Sequence, residues 1–259
     1  MHQMSARQSL HIFHLYRKDG TSLFLHPFLD RQKVMERLEK TELEGLYGKE
    51  PRVESLTLFR NELYRIIEDE VKAWVSEARF IPRFLLSAGV FVAAYFFLSF
   101  VVRDPLPVVD ELAVSLGAAI LSYILLGRRD MRSQAALKKR IALRRKVDNI
   151  RFVESEFVKE VEDVLHAKES ESTDSLVSAF QAGDVPALTN PESDIAGELL
   201  RYLEMRFQSN EYKRQEKKLL EKKHNKDLDG VKRWVQLRKV DFPLFAFYVN
   251  LKRRQARKP

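Results

Sequence analysis

Hydrophobic positions in this chain fall into three regimes: a short alternating stretch near the start, two unbroken runs before the middle, and helical spacing elsewhere. The unbroken runs weigh most. One covers about Phe84–Val102 and the other about Leu106–Leu126, with only Arg103, Asp104 and Pro105 between them. A helix rises about 1.5 Å per residue, so about 20 residues cross a hydrocarbon core about 30 Å thick. The pair therefore reads as a two-helix transmembrane hairpin. The first run carries no charge. The second opens on Asp110 and Glu111 and is clean from Leu112 to Leu126, which puts the two carboxylates at the far membrane surface. A soluble core is the alternative, but hiding two adjacent apolar helices with almost no connector is harder than hiding one.

Ahead of the runs, His11-Ile-Phe-His-Leu-Tyr16 and Thr21-Ser-Leu-Phe-Leu25 flank Asp19-Gly20, the pattern of a β-hairpin. A two-stranded ribbon is marginal alone and is expected to lie on helices. Asp30 is placed to cap a helix running to about Leu46, with Gly45, Gly48 and Pro51 breaking the pattern. Leu56, Phe59, Leu63, Ile66, Ile67, Val71, Trp74 and Val75 then fall on one stripe of a helix from Ser55 to Phe80, and Pro82 is the expected kink or break before the first run.

Beyond the second run, Leu143, Val147, Ile150, Phe157, Val161 and Val164 recur at intervals of four and three, with Glu154 in one slot. That is a heptad-like seam for a partner or a second copy, or a helix packed on the chain's own N-terminal region. Residues 167–194 read as an acidic linker holding a short helix at 174–182. Asn190-Pro191 opens a helix from Glu192 to about Asn225 that buries Ile195, Leu199, Leu203 and Phe207. The expected fold is mainly α and integral to a membrane, with a small N-terminal β-ribbon. Its parts are a cytoplasmic region at 1–80, the hairpin at 81–127, a basic juxtamembrane helix at 128–166, the linker, and a basic helical region at 195–259.

Charge supplies orientation. Arg79 and Arg83 precede the first run and Arg128, Arg129 and Arg132 follow the second, while the connector offers only Arg103. The positive-inside rule then predicts a multi-pass protein of the plasma (inner) membrane with both termini cytoplasmic. Residues 1–25 lack the apolar segment of a secretory leader, so Phe84–Val102 is expected to act as the insertion signal. The net charge of +8 comes in blocks: Arg128–Arg151 is strongly basic, Glu154–Leu200 strongly acidic, and Lys213–Pro259 strongly basic.

A basic block beside a bilayer suits anionic head groups, and Arg128, Arg129, Arg132, Lys138, Lys139 and Arg140 are the candidates. Near the C-terminus, Lys252, Arg253 and Arg254 follow an aromatic patch of Trp234, Phe242, Phe245, Phe247 and Tyr248. These aromatics form a helical domain core, or insert at the bilayer interface, or stack on nucleic acid. In the spans, Ser87, Ala88, Gly89, Ala93 and Ala94, with Ser115, Gly117, Ala118, Ala119 and Ser122, let helices approach closely within the hairpin or between copies.

Chemistry is sparse. The chain has no cysteine, which excludes disulfides, thiolate metal sites and cysteine nucleophiles. It has nine glycines and no phosphate loop, nucleophile elbow or zinc-protease motif, so no enzyme and no cofactor is expected. His2, His11, His14 and His26 crowd the start, yet a strand sends His11 and His14 to opposite faces, so no metal site is expected. Asp110 and Glu111 would ring a cation pore in an oligomer, or simply complement a helix N-terminus. The function these features point to is a membrane-anchored scaffold or adaptor that binds protein partners or itself. A tether for nucleic acid or anionic lipid, and an oligomeric pore, are the alternatives.

Overall fold

The computed structural model describes residues 9–29, 41–101, 107–182, 188, 194–220 and 228–256. The N-terminal alternation forms β1 (Ser9–Tyr16) and β2 (Ser22–Leu25), antiparallel, with Phe13 opposite Leu25 and Tyr16 opposite Ser22. Gly20 turns the chain at φ +83°, in the left-handed region that favours glycine. The Asp19 carboxylate accepts from the Thr21 N–H and hydroxyl at 2.9 and 2.6 Å.

This ribbon is half of a larger sheet. β3 (Glu42–Tyr47) lies parallel beside β1, and β4 (Arg151–Glu154) parallel beside β3, in the order β2-β1-β3-β4. The helix expected to end at Leu46 is corrected there to a strand; its start at Asp30 lies outside the described residues. Buried Leu43 and Gly45 alternate with exposed Glu42 and Glu44, the period of a pleat.

Nine α-helices lie among the described residues, the first seven being α1 (Val53–Val101), α2 (Val108–Met131), α3 (Gln134–Asp148), α4 (Glu156–Glu169), α5 (Thr173–Ala182), α6 (Asp194–Arg206) and α7 (Asn210–Leu220). α8 (Leu228–Arg238) and α9 (Phe242–Ala256) follow them among the described residues. α1 continues through Pro82 without a break, at the cost of one backbone hydrogen bond, and is about 74 Å long.

The stretch 128–166, expected as one basic juxtamembrane helix carrying the Leu143–Val164 seam, is divided. α3 stops at Asp148, β4 intervenes, and α4 starts at Glu156. Likewise α6 and α7 divide the single helix expected over 192–225, at Phe207–Ser209; its start at Asn190-Pro191 and its end near Asn225 lie outside the described residues.

The chain forms two compact units. One is Met1–Asn61 with Asn149–Pro259; the other is Glu62–Asp148. In the first, one sheet face sends Phe13, Leu15 and Leu25 into a core with Val158, Val161 and Leu165 of α4, Leu199 and Leu203 of α6, and most of α9. The opposite face is covered by the first turns of α1, where Phe59 stacks on Phe24 at 4.3 Å. Trp234, Phe242, Phe245, Phe247 and Tyr248 are all interior. All five belong to the core of the first unit, the arrangement that the domain-core reading of these aromatics expects. Phe245 lies 5.2–6.1 Å from Phe207, Tyr212, Trp234 and Tyr248, an aromatic cluster that closes the core.

In the second unit, α1 runs antiparallel to α2 and α3 in turn. The Tyr64 hydroxyl donates to Asp148, Glu68 takes Arg140 and Arg144 at 2.7 and 2.8 Å, and Lys139 lies 4.4 Å over Trp74. Further on, Arg83 meets Asp130 and Ser99 meets Glu111. Each step forward along α1 matches a similar step back along α3 and α2, so the three helices make one long antiparallel pair. Both α1 and α2 contain a stretch long and apolar enough to cross a membrane, only 6% and 17% buried respectively.

Candidate functional site

The apolar helix pair reverses the usual placement of side chains. Phe84, Phe97 and Phe100 of α1 and Leu116, Leu121 and Leu125 of α2 are exposed, whereas the residues enclosed between the helices are Arg83, Ser87, Glu111, Ser115 and Ala119. Polar and small groups inside, bulky apolar groups outside, is the arrangement expected of helices whose solvent is hydrocarbon. Polar contacts mark both ends. Arg83 Nε donates to Asp130 at 2.6 Å, and the Ser99 hydroxyl donates to Glu111 at 2.7 Å. From Glu111 to Asp130 the helix rises about 28 Å, close to one hydrocarbon thickness.

The acidic pair is thereby split, with Glu111 buried and Asp110 exposed. The small residues split too. Ser87, Ser115 and Ala119 are buried in the pair, Ala88, Ala94, Ala118 and Ser122 are half-buried, and Ala93 is exposed. Gly89 and Gly117 face open space, where a methyl group would touch nothing.

The predicted lipid-facing cations sort into two groups. Arg128, Arg129, Arg132 and Lys138 are exposed. Lys139 and Arg140 are engaged by Trp74 and Glu68 within the helix pair. Lys252 is engaged in the first unit, 2.7 Å from Glu216 and 3.1 Å from the Tyr248 hydroxyl, and Arg253 and Arg254 are half-buried. The predicted partner seam is consumed by the chain itself: Leu143, Val147, Ile150 and Val161 are buried, and Phe157 and Val164 pack against the core.

A buried polar network in the first unit was missed from sequence. Glu198 of α6 accepts the His11 backbone N–H at 3.0 Å and the Tyr202 hydroxyl, and lies 2.6 Å from His11 Nδ1. The hydrogen bond to Glu198 raises the His11 pKa against the opposing effect of burial. Burial alone would push Glu198 up, but the bonds from His11 and Tyr202 more than offset it and hold the carboxyl low.

Glu162 of α4 accepts the Tyr16 N–H at 2.8 Å, and burial raises its pKa. Arg17 bridges Glu169 and Asp241, tying β1 to the ends of two helices. On the other sheet face, burial lowers His14 and His26 to about 4. His14 Nε2 and His26 Nδ1 have no hydrogen-bond partner among the described residues. The carboxylates looked like solvated helix faces because their partners sit more than a hundred residues away, and nothing in local spacing signals that.

No protein-family model, curated protein or solved structure matches the chain.

Proposed function

We propose that this chain is a membrane-anchored scaffold. A two-pass hairpin made by α1 and α2 fixes it in the plasma (inner) membrane, and the unit built on the sheet offers its surface to protein partners or to a second copy on the cytoplasmic side. The reading rests on the reversed arrangement of the helix pair, with Arg83, Glu111 and Ser115 enclosed and phenylalanine and leucine side chains outside. In water such a pair would expose a large apolar area at about 25 cal/mol per Å²; in lipid that area costs nothing.

The orientation draws support from the sheet. β3 and β4 are hydrogen-bonded neighbours, and both apolar stretches lie in the chain between them. Hydrogen-bonded strands share one side of a bilayer, so an even number of crossings fits this pairing. Arg79, Arg128, Arg129 and Arg132 beside the spans favour the cytoplasmic side for both flanks. The pore reading gains little, because Glu111 is taken by Ser99 and α2 carries no further charge before Arg128. The nucleic-acid reading loses its stacking aromatics to the core.

Carbonate extraction and tag protection test the proposal together. Full-length chain is expected in the carbonate-resistant pellet, with tags at both ends shielded from protease added to intact cells. Recovery in the soluble fraction, or one end accessible and the other shielded, overturns it.

A further inference from the structure

A groove of about 410 Å³ runs along α2, lined by Ala118, Leu121, Ser122, Leu125, Leu126 and Arg129. Five of the six are apolar or small, and the sixth is a cation at one end. From Ala118 to Arg129 the helix rises about 16 Å, close to one leaflet of a core about 30 Å thick. The groove is therefore as long as one acyl chain, and its charged end falls where that chain's head group begins. Ala118 and Ser122 supply the hollow, since larger side chains at these half-buried positions would fill it.

Among the described residues no ion pair neutralises the charge at the mouth. Arg129 is exposed at the mouth, as are its neighbours in sequence Arg128 and Arg132, and the acid nearest in sequence, Asp130, is held by Arg83 at 2.6 Å. Guanidinium groups take phosphate oxygens in paired hydrogen bonds. Resting on the membrane reading above, we propose that α2 holds one anionic phospholipid, an acyl chain along Ala118–Leu126 and its phosphate on Arg129 with help from Arg132. This deepens the anchor from a passive hairpin to one that selects lipid by charge.

The test uses full-length protein in a neutral detergent, given equal amounts of phosphatidylglycerol and phosphatidylcholine and weighed intact by native mass spectrometry. A cation near a membrane surface is worth about 1 kcal/mol, or about fivefold in binding. Wild type is expected to carry phosphatidylglycerol in at least fivefold preference. Arg129→Gln should cut that preference about fivefold, while Arg128→Gln, next in sequence but outside the groove, should change it less than twofold. Ser122→Phe should lower binding of both lipids with the arginines intact. Equal preference in wild type and Arg129→Gln, or equal losses in Arg128→Gln and Arg129→Gln, overturns the site in favour of a diffuse belt of charge. Carbonate extraction of the same protein separates the two claims: membrane-held protein without lipid preference sinks only the groove, and soluble protein sinks both.

Discussion

Gly45 has no room for a methyl group, because a Cβ there would overlap the ring of Phe152 on the neighbouring strand. Gly45→Ala is expected to lower stability by about 1–3 kcal/mol, the usual range for overpacking a filled site. Thermal unfolding in detergent measures the loss, and Gly117→Ala, which meets open space, should show none. Adding Phe152→Ala to Gly45→Ala should recover part of it if the ring is the obstacle.

The buried histidines give a pH dependence of definite sign. His14 and His26 sit near 4 in the fold against an ordinary value of 6.5, so the unfolded chain binds more protons between those values. Their stabilising share is complete above about pH 6.5 and shrinks as pH falls toward 4, by up to about 1.4 kcal/mol per pH unit for each group. His11, raised by Glu198, acts oppositely: its share is present below about 6.5 and is lost as pH rises through its raised value. Unfolding followed from pH 7 to pH 5 should show the decline, and His26→Leu should flatten it. An unchanged slope in the variant would remove the burial claim. Strand alternation placed His11 and His14 on opposite faces, as they lie here, but nothing in the sequence indicated that Glu198 would meet His11 or that His14 and His26 would be buried.

Among the elements, the local periodicities were read correctly where one helix or one hairpin carried them. The stripe from Phe59 to Val75, the turn at Asp19-Gly20, the short helix after Thr173 and both apolar runs all appear. β3 and β4 were missed because their partners are non-local and Gly45 reads as a helix breaker. The six-residue seam was misleading, since four-and-three spacing happened to continue from α3 through a four-residue strand into α4. Arg83 and Asp130 tie α1 to α2 with side chains 9% and 23% exposed. Arg83→Leu leaves the carboxylate without its partner and should cost about 3 kcal/mol, at the low end for a broken buried pair. Arg83→Leu with Asp130→Leu should regain most of that, as read by melting temperature in one detergent. A double variant no better than the single would mean that Arg83 acts by packing alone.

For the molecule as a whole, the sheet-bearing unit is made of two segments on either side of the helix pair. The Tyr64 hydroxyl donates to Asp148, so the first and last turns of that helix pair lie side by side. Replacing residues 62–148 by a few Gly and Ser residues is therefore expected to give a chain that stays in solution without detergent and keeps its mixed helix and strand circular dichroism. Aggregation of that deletion variant would show that the sheet-bearing part depends on what was removed. Sequence alone had drawn 1–80 and 195–259 as separate regions, because hydropathy shows where a chain leaves water and is silent on which returning segment it will pair with.

Placing β4 about a hundred residues after β3 also fixes an order of events during synthesis. When β3 leaves the ribosome, its outer edge has nothing to bind until both greasy segments and α3 have been made. Until then it offers bare N–H and C=O groups, an open invitation to pairing with another nascent chain. Any message cut short before Arg151 leaves that edge uncovered for good, so prematurely terminated copies should be the aggregating ones.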